Sequence, residues 1–123
     1  MMKLEGLLNS LWACLIDEIQ HDYRESTLLI KLKEPETGKE HTLLFRDIQA
    51  ILWTMVGVEG KINKKVYPEL TCVLLKDVGL STKDKWLRSY PTHFNICIEI
   101  MDRALLILAS VIEVDDIPFE LYT

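Results

Sequence analysis

Three histidines (His21, His41, His93) and three cysteines (Cys14, Cys72, Cys97) are the side chains of this sequence suited to nucleophilic, acid–base or metal-assisted chemistry. A serine or cysteine nucleophile needs an adjacent base that a third group orients. His93 precedes Cys97 by four residues, and in an extended strand that spacing separates them by roughly 13 Å, at ~3.3 Å per residue. They do not make a dyad, and His93 reads as the start of a strand close to Pro91. His21 and Asp22 could bind a metal or act as an acid–base pair, but consecutive strand residues point to opposite faces. Asp22 reads as the residue that opens a turn over Tyr23-Arg24-Glu25-Ser26. His41 stands beside Glu40 with no second ligand at a metal spacing and reads as a surface histidine.

The cysteines are odd in number, scattered and without a C-x-x-C pair, which speaks against a disulfide framework or a zinc knuckle. Buried thiols in a reducing cytoplasm are the expected state. Carboxylate pairs occur at Asp17-Glu18 and Asp115-Asp116. Two carboxylates do acid–base work only where their environments push their pKa values apart, and nothing in the sequence shows such an environment. Solvated strand edges that discourage edge-to-edge pairing are the preferred reading. Phosphate-cradling glycine motifs and G-x-S-x-G are missing from the sequence. No catalytic residue, cofactor site or metal site is therefore assigned.

The elements that must position these groups read mainly as β-strands. Leu4, Leu7, Leu8 and Leu11 share one helical face, which predicts a short helix within Lys3–Trp12. A strand over Ala13–Tyr23 is preferred to a longer helix, because Thr27–Lys33 alternates as its hairpin partner would. Glu34–Glu40 is a loop by its Pro, Gly and charge, and His41–Phe45 resumes the β pattern. Arg46–Trp53 fits a strand bulged near Asp47 or a helical turn. Gly57–Lys65 reads as a loop, Leu70–Leu75 as a buried strand and Lys76–Tyr90 as a connection. The clearest element is a hairpin over Phe94–Asp115, with Phe94, Ile96, Ile98 and Ile100 on one face, a turn at Asp102-Arg103 and one return strand from Ala104 to Asp115. The tail from Asp116 to Thr123 keeps Phe119, Leu121 and Tyr122 and is expected to dock on the core. The expected fold is mainly β with a minor helical part: an antiparallel β-sandwich or open barrel of five to six strands with a short N-terminal helix, in a single domain over 1–123.

A chain of 123 residues is long enough for one self-sufficient core. Its longest strictly apolar run, Ala104–Ala109, is far short of the roughly 20 residues of a membrane helix. No export signal is read at the N-terminus, so a cytoplasmic location is expected, with no membrane partner. Nineteen acidic against fourteen basic residues give a net charge of −5, which disfavours nucleic acid as a partner. Such a charge attracts basic proteins, but plain solubility is its preferred reading. Trp12, Trp53 and Trp86 are the large anchors. Trp86 lies in the polar stretch Lys83-Asp-Lys-Trp-Leu-Arg88. Burial of Trp86 is slightly preferred, yet an exposed tryptophan next to a cation is also what an interface anchor looks like. The candidate partner-binding residues are accordingly Trp86, Arg88, Asp84, Asp115 and Asp116.

Ile16-x-x-Ile19-x-x-Asp22-Tyr23, Leu28-x-Ile30-x-Leu32, His41-Thr-Leu-Leu-Phe45-Arg-Asp47-Ile48 with Trp53, Phe94-x-Ile96-x-Ile98 and a strand closing on Val114-Asp115 together resemble the small YxiG-like proteins of Gram-positive bacteria. They are also similar to a broader immunity-protein superfamily. The resemblance covers most of the chain except Val56–Tyr90. It implies a non-enzymatic β-rich protein, in some cases encoded near polymorphic toxins and neutralising them by binding. The expected function is that of a cytoplasmic binding protein, an immunity protein whose partner is a toxin. The alternatives are a structural or accessory subunit of a complex, or a small hydrolase or metal enzyme in which two or more of His21, His41, His93, Asp22 and Asp47 converge.

Overall fold

The computed structural model describes residues 3–53, 70–79, 93–100 and 103–121. One short helix, α1 (Leu4–Asn9), precedes β1 (Leu15–Asp22), β2 (Thr27–Lys33), β3 (Glu40–Arg46), β4 (Ala50–Trp53), β5 (Leu70–Gly79), β6 (His93–Ile100), β7 (Arg103–Leu108), β8 (Val111–Val114) and β9 (Ile117–Glu120). These strands form two antiparallel sheets, in the orders β1-β2-β3-β8-β9 and β4-β7-β6-β5. Apolar residues recur at every second position, so each sheet turns one apolar face inward. Ile30, Leu32, Leu43, Phe45 and Ile112 of the first sheet share one buried cluster with Ile96, Ile98, Leu105 and Ile107 of the second. This is a two-sheet sandwich, as the alternating pattern predicts, and not a closed barrel.

Nine strands are described, where five to six were expected, because two stretches that read as continuous break and change sheets and the tail adds β9 as a further strand. Between β3 and β4, Asp47 takes a positive φ of 53° and the chain passes from the first sheet to the second. Between β7 and β8 it passes back through Ala109-Ser110, so Ala104–Asp115 is not one return strand. The two crossings lie side by side and are stitched together: Gln49 N–H donates to Leu108 O (2.8 Å) and Ser110 N–H to Arg46 O (3.2 Å). Strands that switch sheets through a bend are the ordinary way a sandwich makes its corners.

Asn95 sets the second crossing. Its position on β6 reads as polar and outward, yet it is buried, and its side-chain amide donates to Ala109 O (2.7 Å) while its oxygen accepts from Ala109 N–H (3.1 Å). A residue leaving a sheet strands its backbone polar groups, and buried groups of that kind must find partners. Asn95 supplies both.

Elsewhere the local readings hold with small shifts. The Asp22 carboxylate accepts from Arg24 N–H (3.0 Å) and Glu25 N–H (3.2 Å), as a turn-opening aspartate does. Ile100 pairs with Arg103, so Arg103 begins β7 instead of sitting in the turn. β5 runs on to Gly79, into the stretch read as a connection. The loop Gly57–Lys65 and the residues Asp84, Trp86 and Arg88 lie outside the described residues. The tail docks through β9, and Phe119 and Leu121 pack against the core. Among the described residues, no helix is long and apolar enough to cross a membrane.

Candidate functional site

Strand register gathers four separate segments at one end of the first sheet. β3 lies between β2 and β8 and is antiparallel to both. Leu32 of β2 therefore faces His41 near the start of β3, and Leu43 faces Val114 at the end of β8. The loop that follows β2 and the turn that follows β8 thus flank His41. Leu15 pairs with Lys33, which brings the α1–β1 connection, with Trp12, Ala13 and Cys14, to the same end.

There the His41 ring is held between two carboxylates. Its Nδ1 lies 2.7 Å from Asp115 Oδ2 and its Nε2 lies 3.1 Å from Glu34 Oε2. Its side chain is only 11% exposed, so the sequence reading of a surface histidine is corrected. What hides it is folding at a distance, since Asp115 lies 74 residues further along the chain. Asp115 is itself fixed: its other oxygen accepts from Thr42 N–H (2.9 Å) and its own N–H donates to Thr42 O (3.0 Å). Burial favours the neutral ring, but hydrogen bonds to Asp115 and then Glu34, with the charges behind them, outweigh it and hold the His41 pKa above the ordinary histidine value.

Cys14 is buried against the same two acids. Burial first, then the negative charges of Glu34 and Asp115, push its thiol up and keep it protonated. The thiolate, not the thiol, is the reactive form. Both ring nitrogens of His41 are likewise engaged. The cluster is arranged as a charged clasp between segments.

Beside it opens a pocket of about 230 Å³ whose walls include Trp12, Cys14, Glu34, Glu36 and Thr37. Trp12 is 69% exposed at this pocket. Ala13 next to it has a φ of 66°, a left-handed conformation that costs a residue with a Cβ about 1–2 kcal/mol. A second cavity of about 290 Å³, lined by Ile19, Leu28, Ile51, Trp53 and Leu105, is apolar apart from His21.

The sequence-derived candidates are spread out. His21 lines the apolar cavity, Asp22 holds a turn, His93 starts β6 and Asp47 marks the first sheet crossing, so neither cavity gathers two of the proposed catalytic residues. Among the described residues, no group of three His, Cys, Asp or Glu side chains is placed to hold a metal ion. Asp115 and Asp116 are exposed but do not sit on a sheet edge, because β8 is interior to its sheet. They are the two central residues of the β8–β9 turn, with φ of 49° and 69°. Asp17-Glu18 does lie on an edge strand, β1, where the register shifts between Ile16 and Glu18 and Glu18 pairs with Lys31 at 3.3 Å. Trp12, Glu34 and Glu36 are not among the site residues that the sequence points to, whereas His41 is, as one member of the enzyme alternative whose other members lie elsewhere. Hairpin register could have placed Glu34 near His41, whereas Asp115 and Trp12 required pairings that no local pattern encodes.

Comparison with known proteins yields no match among curated proteins and none among solved structures. One family model does match, that of the YxiG-like proteins, over residues 4–119. The match runs through the Val56–Tyr90 stretch that carried none of the motif likeness.

Proposed function

The chain belongs to the YxiG-like family, and from that premise we propose that it acts by binding a partner protein, as a cytoplasmic immunity protein that occludes a toxin. The observation that carries this reading is Trp12, a tryptophan 69% exposed beside a pocket bordered by Glu34 and Glu36. An exposed tryptophan costs solubility unless something covers it, and tryptophan is among the residues that dominate interface energetics. Acidic groups around it, on a chain of net charge −5, fit a basic partner and would speed its approach.

The test is titration of the purified protein against the toxin encoded beside its gene, at low and at raised ionic strength. Binding should weaken steeply with salt. Trp12→Ala should weaken it by about 30-fold or more, the effect of losing a hot spot worth about 2 kcal/mol. A gene neighbourhood without a toxin, or a neighbouring toxin that stays unbound at low salt, refutes the proposal.

A further inference from the structure

We propose that His41 is a proton-operated clasp: one imidazole ring ties the β2–β3 loop to the β8–β9 turn and so sets the wall of the pocket beside Trp12. This goes beyond the binding reading, because it is a property of the free protein.

The two sides of the ring are not equivalent. On the Nδ1 side, Asp115 is locked to Thr42 through both its carboxylate and its backbone N–H. On the Nε2 side, the bond to Glu34 is longer, and Glu34 belongs to a loop closed on itself by Glu34 N–H to Lys39 O (2.8 Å) and Gly38 N–H to Glu34 O (2.9 Å). That loop, with Gly38 at a φ of 75°, carries Glu36 and Thr37 of the pocket wall. It can therefore move as a unit when Glu34 lets go.

Only the charged ring donates from both nitrogens; the neutral ring has one N–H and one lone pair. A lone pair directed at a carboxylate repels it, and of the two carboxylates it is Asp115 that Thr42 holds in place. Loss of the proton therefore frees the Glu34 side, and the loop relaxes. The titratable and charged groups that bear on the ring are Glu34 from the β2–β3 loop and Asp115 from the β8–β9 turn. Cys14, from the α1–β1 connection, faces the same two acids with its thiol kept neutral and adds no competing charge.

The sign follows from the raised pKa. The charged clasp contributes its full stability below the histidine pKa of the unfolded chain, and this contribution is lost as pH rises through the higher folded value. The pocket wall is thus fixed on the acid side and released on the alkaline side.

The test is a pH titration of the full chain by NMR, with His21→Gln and His93→Gln used to assign the ring signals. His41 should titrate above the ordinary histidine value. The amides of Glu36, Thr37 and Gly38 and the Trp12 indole N–H should shift with the same midpoint. Glu34→Gln should lower the His41 midpoint and abolish the pH response of the loop amides, while His41 still titrates against Asp115. His41→Gln should remove the transition altogether. If that variant does not fold, the Glu34→Gln titration decides by itself. An ordinary His41 midpoint, loop amides that do not follow the ring, or a loop transition that survives Glu34→Gln or His41→Gln each overturns the proposal.

Discussion

The two sheets of this sandwich treat their outward faces differently. In the first, β2 and β3 bury one face while the other carries Lys31, Lys33 and Glu40, and charged residues pair across strands, Lys31 with Glu18 and Arg46 with Glu113. In the second, β7 buries side chains on both faces: Leu105 and Ile107 point into the main core, while Leu106 and Leu108 form a separate cluster with Phe94. Leu74, Cys97, Leu106 and Leu52 stand opposite one another across β5, β6, β7 and β4. A sheet with one wet face tolerates loops and turns that bring charged groups together at its end, and the clasp is built there. A sheet that is apolar on both faces is scaffold first.

The contrast is broken or sharpened most directly by truncating both faces of β7. Ile107→Ala should destabilise by about 2–5 kcal/mol, as removal of a fully buried aliphatic side chain does. If the outward cluster is equally packed, Leu108→Ala, at a position 3% exposed, should fall in the same range. Lys31→Ala on the outer face of the first sheet should cost under about 0.5 kcal/mol, because its ion pair with Glu18 is exposed and such pairs contribute little. Urea denaturation of the three variants checks the order. A Leu108→Ala midpoint as close to wild type as that of Lys31→Ala would remove the distinction between the sheets.

The next largest effect is expected where the sheets exchange a strand. Asn95→Ala should cost about 2–3 kcal/mol, since it leaves the N–H and C=O of Ala109, a residue 1% exposed, without their partners. Glu113→Ala, which breaks a pair with Arg46 that is open to solvent on the Arg46 side and half-buried on the Glu113 side, should cost about 1 kcal/mol. Equal costs for the two, read from the same denaturation curves, would mean that Asn95 does not hold the crossing.

How far this fold is legible from its sequence depends on how far apart the interacting residues are. The alternation Leu28-x-Ile30-x-Leu32 and the turn chemistry of Asp22 and Glu34–Glu40 act over a few residues, and the β1–β2–β3 meander follows them closely. The break at Ala109-Ser110 does not show as a break, because Leu105–Val114 is apolar but for Ser110 and Glu113, and the residue that holds the break is a single asparagine fourteen residues earlier. Asn95 looks like an exposed polar position in a period-two strand, and it is buried because the second sheet also covers side chains on its outer face and because Ala109 needs both of its amide atoms. The candidate site was less legible still. Asp115 was singled out for its charge, but its task depends on pairing between β3 and β8, and His41 looked superficial because Asp115 and Glu34 are needed to cover it.

The smallest expected effect separates two neighbouring aspartates at the end of the polar sheet. Asp115 and Asp116 both carry the positive φ that a two-residue type I′ hairpin turn requires at its centre, where glycine is the least strained residue. Asp116 is exposed and takes no part in the clasp. Asp116→Gly should therefore stabilise slightly, because it relieves left-handed strain of about 1–2 kcal/mol against the about 0.4–1 kcal/mol that glycine's extra freedom in the unfolded chain takes back. Asp115→Gly relieves the same strain but removes the acceptor of both Thr42 N–H and the His41 ring, and it should destabilise. Opposite signs from one substitution at adjacent positions would tie the charge at this end of the sheet to the clasp, whereas two stabilising changes would reduce the pair to an ordinary turn.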